Sequence, residues 1–161
     1  NWPARHKMTA PAYQPITDAD IPRVEIAGGE VRVIAGEFEG RKGPAHTFTP
    51  IQLWDLRLKA GARAAFTVPA GHTTALFVRH GEIALADGER VGEAQIAVLE
   101  RDGDRFTVEA EQDTALLLLN GEPLGEPVVG YCPFVMNTQR EIEQAVADYR
   151  SGRMGRIAQR A

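Results

Sequence analysis

The sequence predicts an all-β fold, an antiparallel sandwich or barrel, followed by one C-terminal α-helix. Three observations carry this. From residue 24 onward, short apolar runs recur at even spacing. Glycine-containing turns join them. Near residue 137 the apolar period changes from that of a strand to that of a helix. With 161 residues, 43% of them apolar and 25% charged, the chain can bury one sizeable core.

The elements follow in order. Residues 1–22 carry Pro3, Pro11, Pro15 and Pro22 and read as an extended connector, because proline fixes φ and its predecessor avoids the helical region. Val31, Val33 and Ala35 alternate with Arg32 and Ile34. GEFEGRKGP, residues 36–44, is a surface loop; it lacks the lysine-threonine ending and following helix of a phosphate-binding loop. Trp54, Leu56 and Leu58 alternate with Asp55, Arg57 and Lys59 in a half-buried strand that ends by Gly61. The alternation leaves open whether Trp54 or Asp55 faces the core. Phe66 and Val68 precede the turn Pro69-Ala70-Gly71. Leu76, Phe77 and Val78 form a strand that stops at Gly81. Ile83 and Leu85 lead into Asp87-Gly88, a hairpin signal. Ile96, Val98 and Leu99 precede the turn Arg101-Asp102-Gly103-Asp104, and Phe106, Val108 and Ala110 follow it. Leu116–Leu119 is a continuous apolar run, expected to be buried on both faces.

The stretch PVVGYCPFVMNTQREIEQAVADY, residues 127–149, passes from turn-punctuated apolar sequence into a helix. Thr138 and Glu141 have the spacing of a capping box, in which each side chain satisfies the other's exposed amide. Ile142, Ala145, Val146 and Tyr149 make one apolar stripe, and Gly152 is the natural stop. A helix this short needs a surface to dock on, either the outside of the sheet or a neighbouring domain. Cys132, the single cysteine, reads as a small buried hydrophobe. One cysteine builds no internal disulfide and no thiolate zinc site, which fits a reducing, cytoplasmic setting.

Other classes are disfavoured. The net charge of −4 argues against a nucleic-acid groove built on bulk positive charge. Arg150, Arg153, Arg156 and Arg160 read as a basic tail. No apolar run reaches the length of a membrane span. The opening NWPARHKM has no signal-peptide core and no initiator methionine, so an upstream segment is expected to have been lost.

Three stretches carry a resemblance: NWPARHKMTAPAYQ at 1–14, VIAGEFEGRKGPAHTFTP at 33–50, and GEPLGEPVVGYCPFVMNTQREIEQAVADYRSGRMG at 121–155. In order and spacing they resemble pirin, a family of bicupins. The resemblance implies a cupin-type jelly-roll β-barrel. It divides the chain into the end of a missing N-terminal cupin domain with its linker (1–22), a C-terminal barrel (23–136), a helix (137–152) and a tail (153–161). In the family the first barrel holds an iron on three histidines and one glutamate. That iron is expected in the missing half, with no cofactor in this chain. Family members act as quercetin 2,3-dioxygenases, and animal members are nuclear co-regulators of transcription.

Does this barrel hold a metal of its own? The family's first cupin motif needs two histidines one residue apart, then a glutamate seven residues before a glycine. Anchored on Gly81, the glutamate position is Thr74 and the histidine positions fall within Thr67-Val68-Pro69-Ala70. The second motif's histidine position falls at Gly103-Asp104. None of these offers an imidazole, and His6, His46, His72 and His80 contain no HxH pair. The barrel is therefore expected to be metal-free, with no catalytic residue. Trp54, His72, Leu76 and Val78 are the candidate binding residues for a small aromatic ligand. The expected partners are the missing N-terminal domain, a further protein partner, and a second copy of the fragment, with neither nucleic acid nor membrane.

Overall fold

The computed structural model describes residues 2–10 and 12–154. Contacts divide the chain into two compact units. One runs Ala12–Pro123, and the other combines the residues before it with those from Leu124 onward.

The larger unit begins with β1 (Arg23–Ile26) and β2 (Gly29–Ala35). Then come two short strands, β3 (Glu37–Phe38) and β4 (Arg41–Lys42), and the long β5 (Ile51–Leu58). β6 (Arg63–Thr67), β7 (Thr73–His80), β8 (Glu82–Leu85) and β9 (Arg90–Gly92) follow. β10 (Ile96–Leu99), β11 (Arg105–Ala110) and β12 (Thr114–Gly121) complete it. One sheet has six strands in the order β1-β2-β5-β12-β7-β10; another has four, β6-β11-β8-β9. Their pairings are antiparallel. The two sheets share one core, as a jelly roll requires.

Period-two alternation determines which side chains enter that core. Val31, Val33, Leu56, Leu76, Val78, Leu116 and Leu118 of the large sheet are fully buried, against Phe66, Ile83 and Val108 of the small one. Leu116–Leu119 differs from expectation. Leu116 and Leu118 are buried, but Leu119 is 40% exposed, so one face of this strand is open. The segment 36–44 also differs, because β3 and β4 form a small hairpin. It brings Phe38 against Trp54 in an edge contact, with ring centroids 4.9 Å apart. Gly81 turns the chain between β7 and β8 at φ +86°, where a Cβ would lie 2.4 Å from Thr114 Oγ1.

In the smaller unit, β13 (Val129–Tyr131) and β14 (Phe134–Met136) form a hairpin, and α1 (Gln139–Arg150) packs on it. The capping box is present: Thr138 Oγ1 accepts from the Glu141 amide, and the Glu141 carboxylate accepts from the Thr138 amide at 2.8 Å. Ile142 and Ala145 are buried, while the Tyr149 ring edges onto Phe134. The helix stripe thus docks on its own preceding hairpin, a surface absent from the two alternatives expected. Cys132 is exposed in the hairpin turn, ahead of a cis Pro133, and is not the buried hydrophobe expected. Arg153, expected in a basic tail, pairs with Asp148 at 2.6 Å. Arg156 and Arg160 lie outside the described residues. Among the described residues, no helix is long and apolar enough to cross a membrane.

Candidate functional site

Between the tips of the two sheets lies a cavity of about 290 Å³. Val68, Thr74, Leu85, Leu99, Gly103 and Phe106 are among its walls. Val68 follows β6, Thr74 lies at the start of β7, and Gly103 lies in the β10–β11 turn. These are the places to which the cupin motifs, counted from Gly81, assign metal ligands. At those three positions the cavity wall offers an isopropyl group, a hydroxyl and a bare backbone, while Asp87, Glu100 and Asp102 also line it. No imidazole lines the cavity, and among the described residues no three His, Cys, Asp or Glu side chains converge to hold a metal, so the residues present do not fit an iron site of imidazoles and carboxylate.

Polar groups do meet beside the cavity. Thr74 and Asn120, each 3% exposed, face inward from paired positions on β7 and β12. Asn120 Nδ2 donates to Thr74 Oγ1 at 2.9 Å. Asn120 Oδ1 lies 3.1 Å from His72 Nδ1. An amide oxygen only accepts, so the His72 proton sits on Nδ1 in this arrangement. The result is a chain from a half-buried histidine to a buried hydroxyl on the cavity wall.

The four sequence-nominated residues separate. His72 is half-buried and joins the cavity only through Asn120 and Thr74. Trp54, Leu76 and Val78 are 2%, 0% and 0% exposed and belong to the packed core. Leu118 stands between Trp54 and Leu76 in the sheet register. None of the four lines the cavity. The remaining histidines are dispersed. His80 pairs with Glu93 at 2.9 Å, and the His46 backbone is held on both sides by the Gln14 side chain.

Sequence reasoning missed the residues that do line the cavity, because they come from turns and strand ends that converge only after closure of the roll. It also missed an ion cluster on the outer face of the large sheet. Asp55, although 3% exposed, does not compete with Trp54 for the core; the two point to opposite faces and both are covered. Arg32 Nη1 and Arg79 Nη2 each donate to the Asp55 carboxylate at 2.6 Å. Arg32 Nη2 donates to Asp18. Strand alternation alone cannot reveal this, since the partner strands must first be known.

The geometry is that of a cupin barrel, and comparison with known proteins agrees. The family profile described as the pirin C-terminal cupin domain matches residues 53–155. The chain is 50% identical over 155 residues to a Pseudomonas aeruginosa protein provisionally named a quercetin 2,3-dioxygenase, covering 95% of this chain and 54% of the relative. It is 38% identical over 160 residues to Pirin-1 of Arabidopsis thaliana, covering 96% and 56% respectively. The crystal structure of a quercetin 2,3-dioxygenase from Acinetobacter baumannii superposes with a TM-score of 0.93 at 43% identity, over 98% of this chain and 56% of that one. The chain spans about half the length of the curated relatives it matches.

Proposed function

Because this chain belongs to the pirin family, as its C-terminal cupin domain, we propose that it is the structural and interaction half of a longer bicupin. The iron belongs to the other barrel, and the whole protein is a cytoplasmic, quercetin 2,3-dioxygenase-like oxidoreductase. In this reading the present barrel contributes shape and contact while the redox chemistry takes place elsewhere. The donor set Val68, Thr74 and Gly103 at the metal position supports the division of labour.

One observation carries the interaction role. Toward its β10 edge, away from the Asp55 cluster, the outer face of the large sheet is apolar where solvent-facing strands normally alternate to polar residues. Ile96 is 58% exposed, Val98 67% and Leu119 40%. The register makes them neighbours: Ile96 opposes Phe77, which opposes Leu117, and Val98 opposes Ala75, which opposes Leu119. A contiguous patch of this kind marks a protein interface. The occupant is the N-terminal half of a pirin protein, because the matched relatives are nearly twice as long as this chain.

Co-expression with a pirin N-terminal half tests this. Wild-type chain is expected to co-elute with that half in size-exclusion chromatography, and the double variant Ile96→Glu, Val98→Glu to elute apart from it. Co-elution of the double variant would remove the sheet face from the interface.

A further inference from the structure

We propose that the cavity lined by Val68, Thr74 and Gly103 binds a small phenolic amine: one aromatic ring with a hydroxyl oxygen at its buried end and a cationic amine at the mouth. Three features of the cavity specify this class. The first is its inner donor. Thr74 Oγ1 accepts from Asn120 Nδ2 at 2.9 Å, and Asn120 is held from behind by His72. The Thr74 hydroxyl therefore keeps its own proton to give, and among the described residues it donates to no protein acceptor. A buried hydroxyl on a cavity wall with its proton unspent selects a ligand oxygen.

The second feature is the wall. Val68, Leu85, Leu99 and Phe106 are apolar, and the cavity of about 290 Å³ sits at the low end of the ligand-pocket range of about 300–1,000 Å³. That volume admits a single substituted ring. The third is the mouth. Asp87, Glu100 and Asp102 surround it with Arg105 as the one cation of the four, so the local charge favours an ammonium group and disfavours a carboxylate. The sheet-face interface plays no part in this inference, so either can fail without the other.

Tyramine is the probe, with phenethylamine (no ring oxygen) and 4-ethylphenol (no amine) as its truncated forms. In calorimetric titration, tyramine is expected to bind saturably, and each truncated form about fivefold more weakly, the value of one hydrogen bond or screened charge contact. Thr74→Val should lower tyramine affinity to that of phenethylamine while leaving phenethylamine unaffected. Gly103→Leu provides a second variant should Thr74→Val not fold. A Cβ at Gly103 meets no atom within 4 Å, so the turn accepts a larger side chain at a position that lines the cavity. It should abolish binding of all three compounds. No saturable tyramine binding, equal affinities for the three compounds, or undiminished binding to Gly103→Leu would each overturn the proposal.

Discussion

Asp55 shows how much one side chain can organise outside the core. Its carboxylate is nearly inaccessible and receives two guanidinium groups at 2.6 Å. Replacing it with alanine leaves Arg32, itself only 12% exposed, without its buried counter-charge. The loss is expected to be about 3 kcal/mol, in the range for breaking one side of a buried pair, read as a lowered urea midpoint. Arg79 is 41% exposed, so its replacement by alanine should cost distinctly less. Gly81 is the other decisive residue. Alanine there must hold φ +86° and place its Cβ 2.4 Å from Thr114 Oγ1. We expect more than about 1 kcal/mol of destabilisation, measured by thermal unfolding. An unchanged melting temperature would show that the β7–β8 turn relaxes freely.

The residue scale is also where the sequence was least legible. Trp54 and Asp55 are adjacent, and period two assigns them to opposite faces without ranking the faces. Both prove buried, because the face opposite the core carries its own charged cover. Cys132 looked apolar from its neighbours Tyr131 and Pro133, yet a two-strand hairpin of three residues each has too little mass to bury its own turn.

Elements with clear periodicity were legible. Val31 and Val33, Leu56 and Leu58, and Leu76 and Val78 alternate in sequence and are buried in fact. Leu116–Leu119 lacks a period, and its four leucines gave no sign that every second one faces outward. The glycines of residues 36–44 outweigh Phe38 and predict a loop, where the structure has the short pair β3 and β4. The helix was legible to its cap. Its docking surface was not, since the stripe on α1 does not say which apolar surface it meets, and β13–β14 is too short to register as strands.

The cap makes predictions at this scale. Thr138→Ala should lower stability by about 1 kcal/mol, with loss of helical ellipticity as the readout. The Glu141 carboxyl is held below its ordinary value of 4.5, first by the Thr138 hydroxyl. A depressed carboxylate contributes stability that is present above its unfolded value and lost as pH falls through the folded one. Helix signal should therefore be constant at neutral pH and fall below about pH 4.5, and Glu141→Gln should flatten that response. A response that survives Glu141→Gln would assign it to another acid.

At the scale of the whole molecule, the barrel class was legible and the cavity was not. Even spacing and glycine turns predict an antiparallel roll and where its longer strands break. They do not predict that Val68, Thr74 and Gly103, far apart along the chain, enclose one space. Only the family's motif spacing linked them. The exposed sheet face, with Val98 and Ile96 at its edge, has a consequence for the isolated chain. If that face normally meets an N-terminal half, as proposed, copies of the chain alone are expected to associate through it. Light scattering should report a mass above that of one chain, rising with concentration, and Val98→Glu should return it to the monomer. A wild-type monomer at high concentration would contradict this.

The central claim is that this barrel has exchanged metal ligation for packing and contact. Elemental analysis of the purified chain, after growth in iron-supplemented medium, tests it most directly. The account predicts iron far below the stoichiometric level and no change in melting temperature when a chelator is added. Iron bound in proportion to protein, with a chelator lowering the melting temperature, would contradict it.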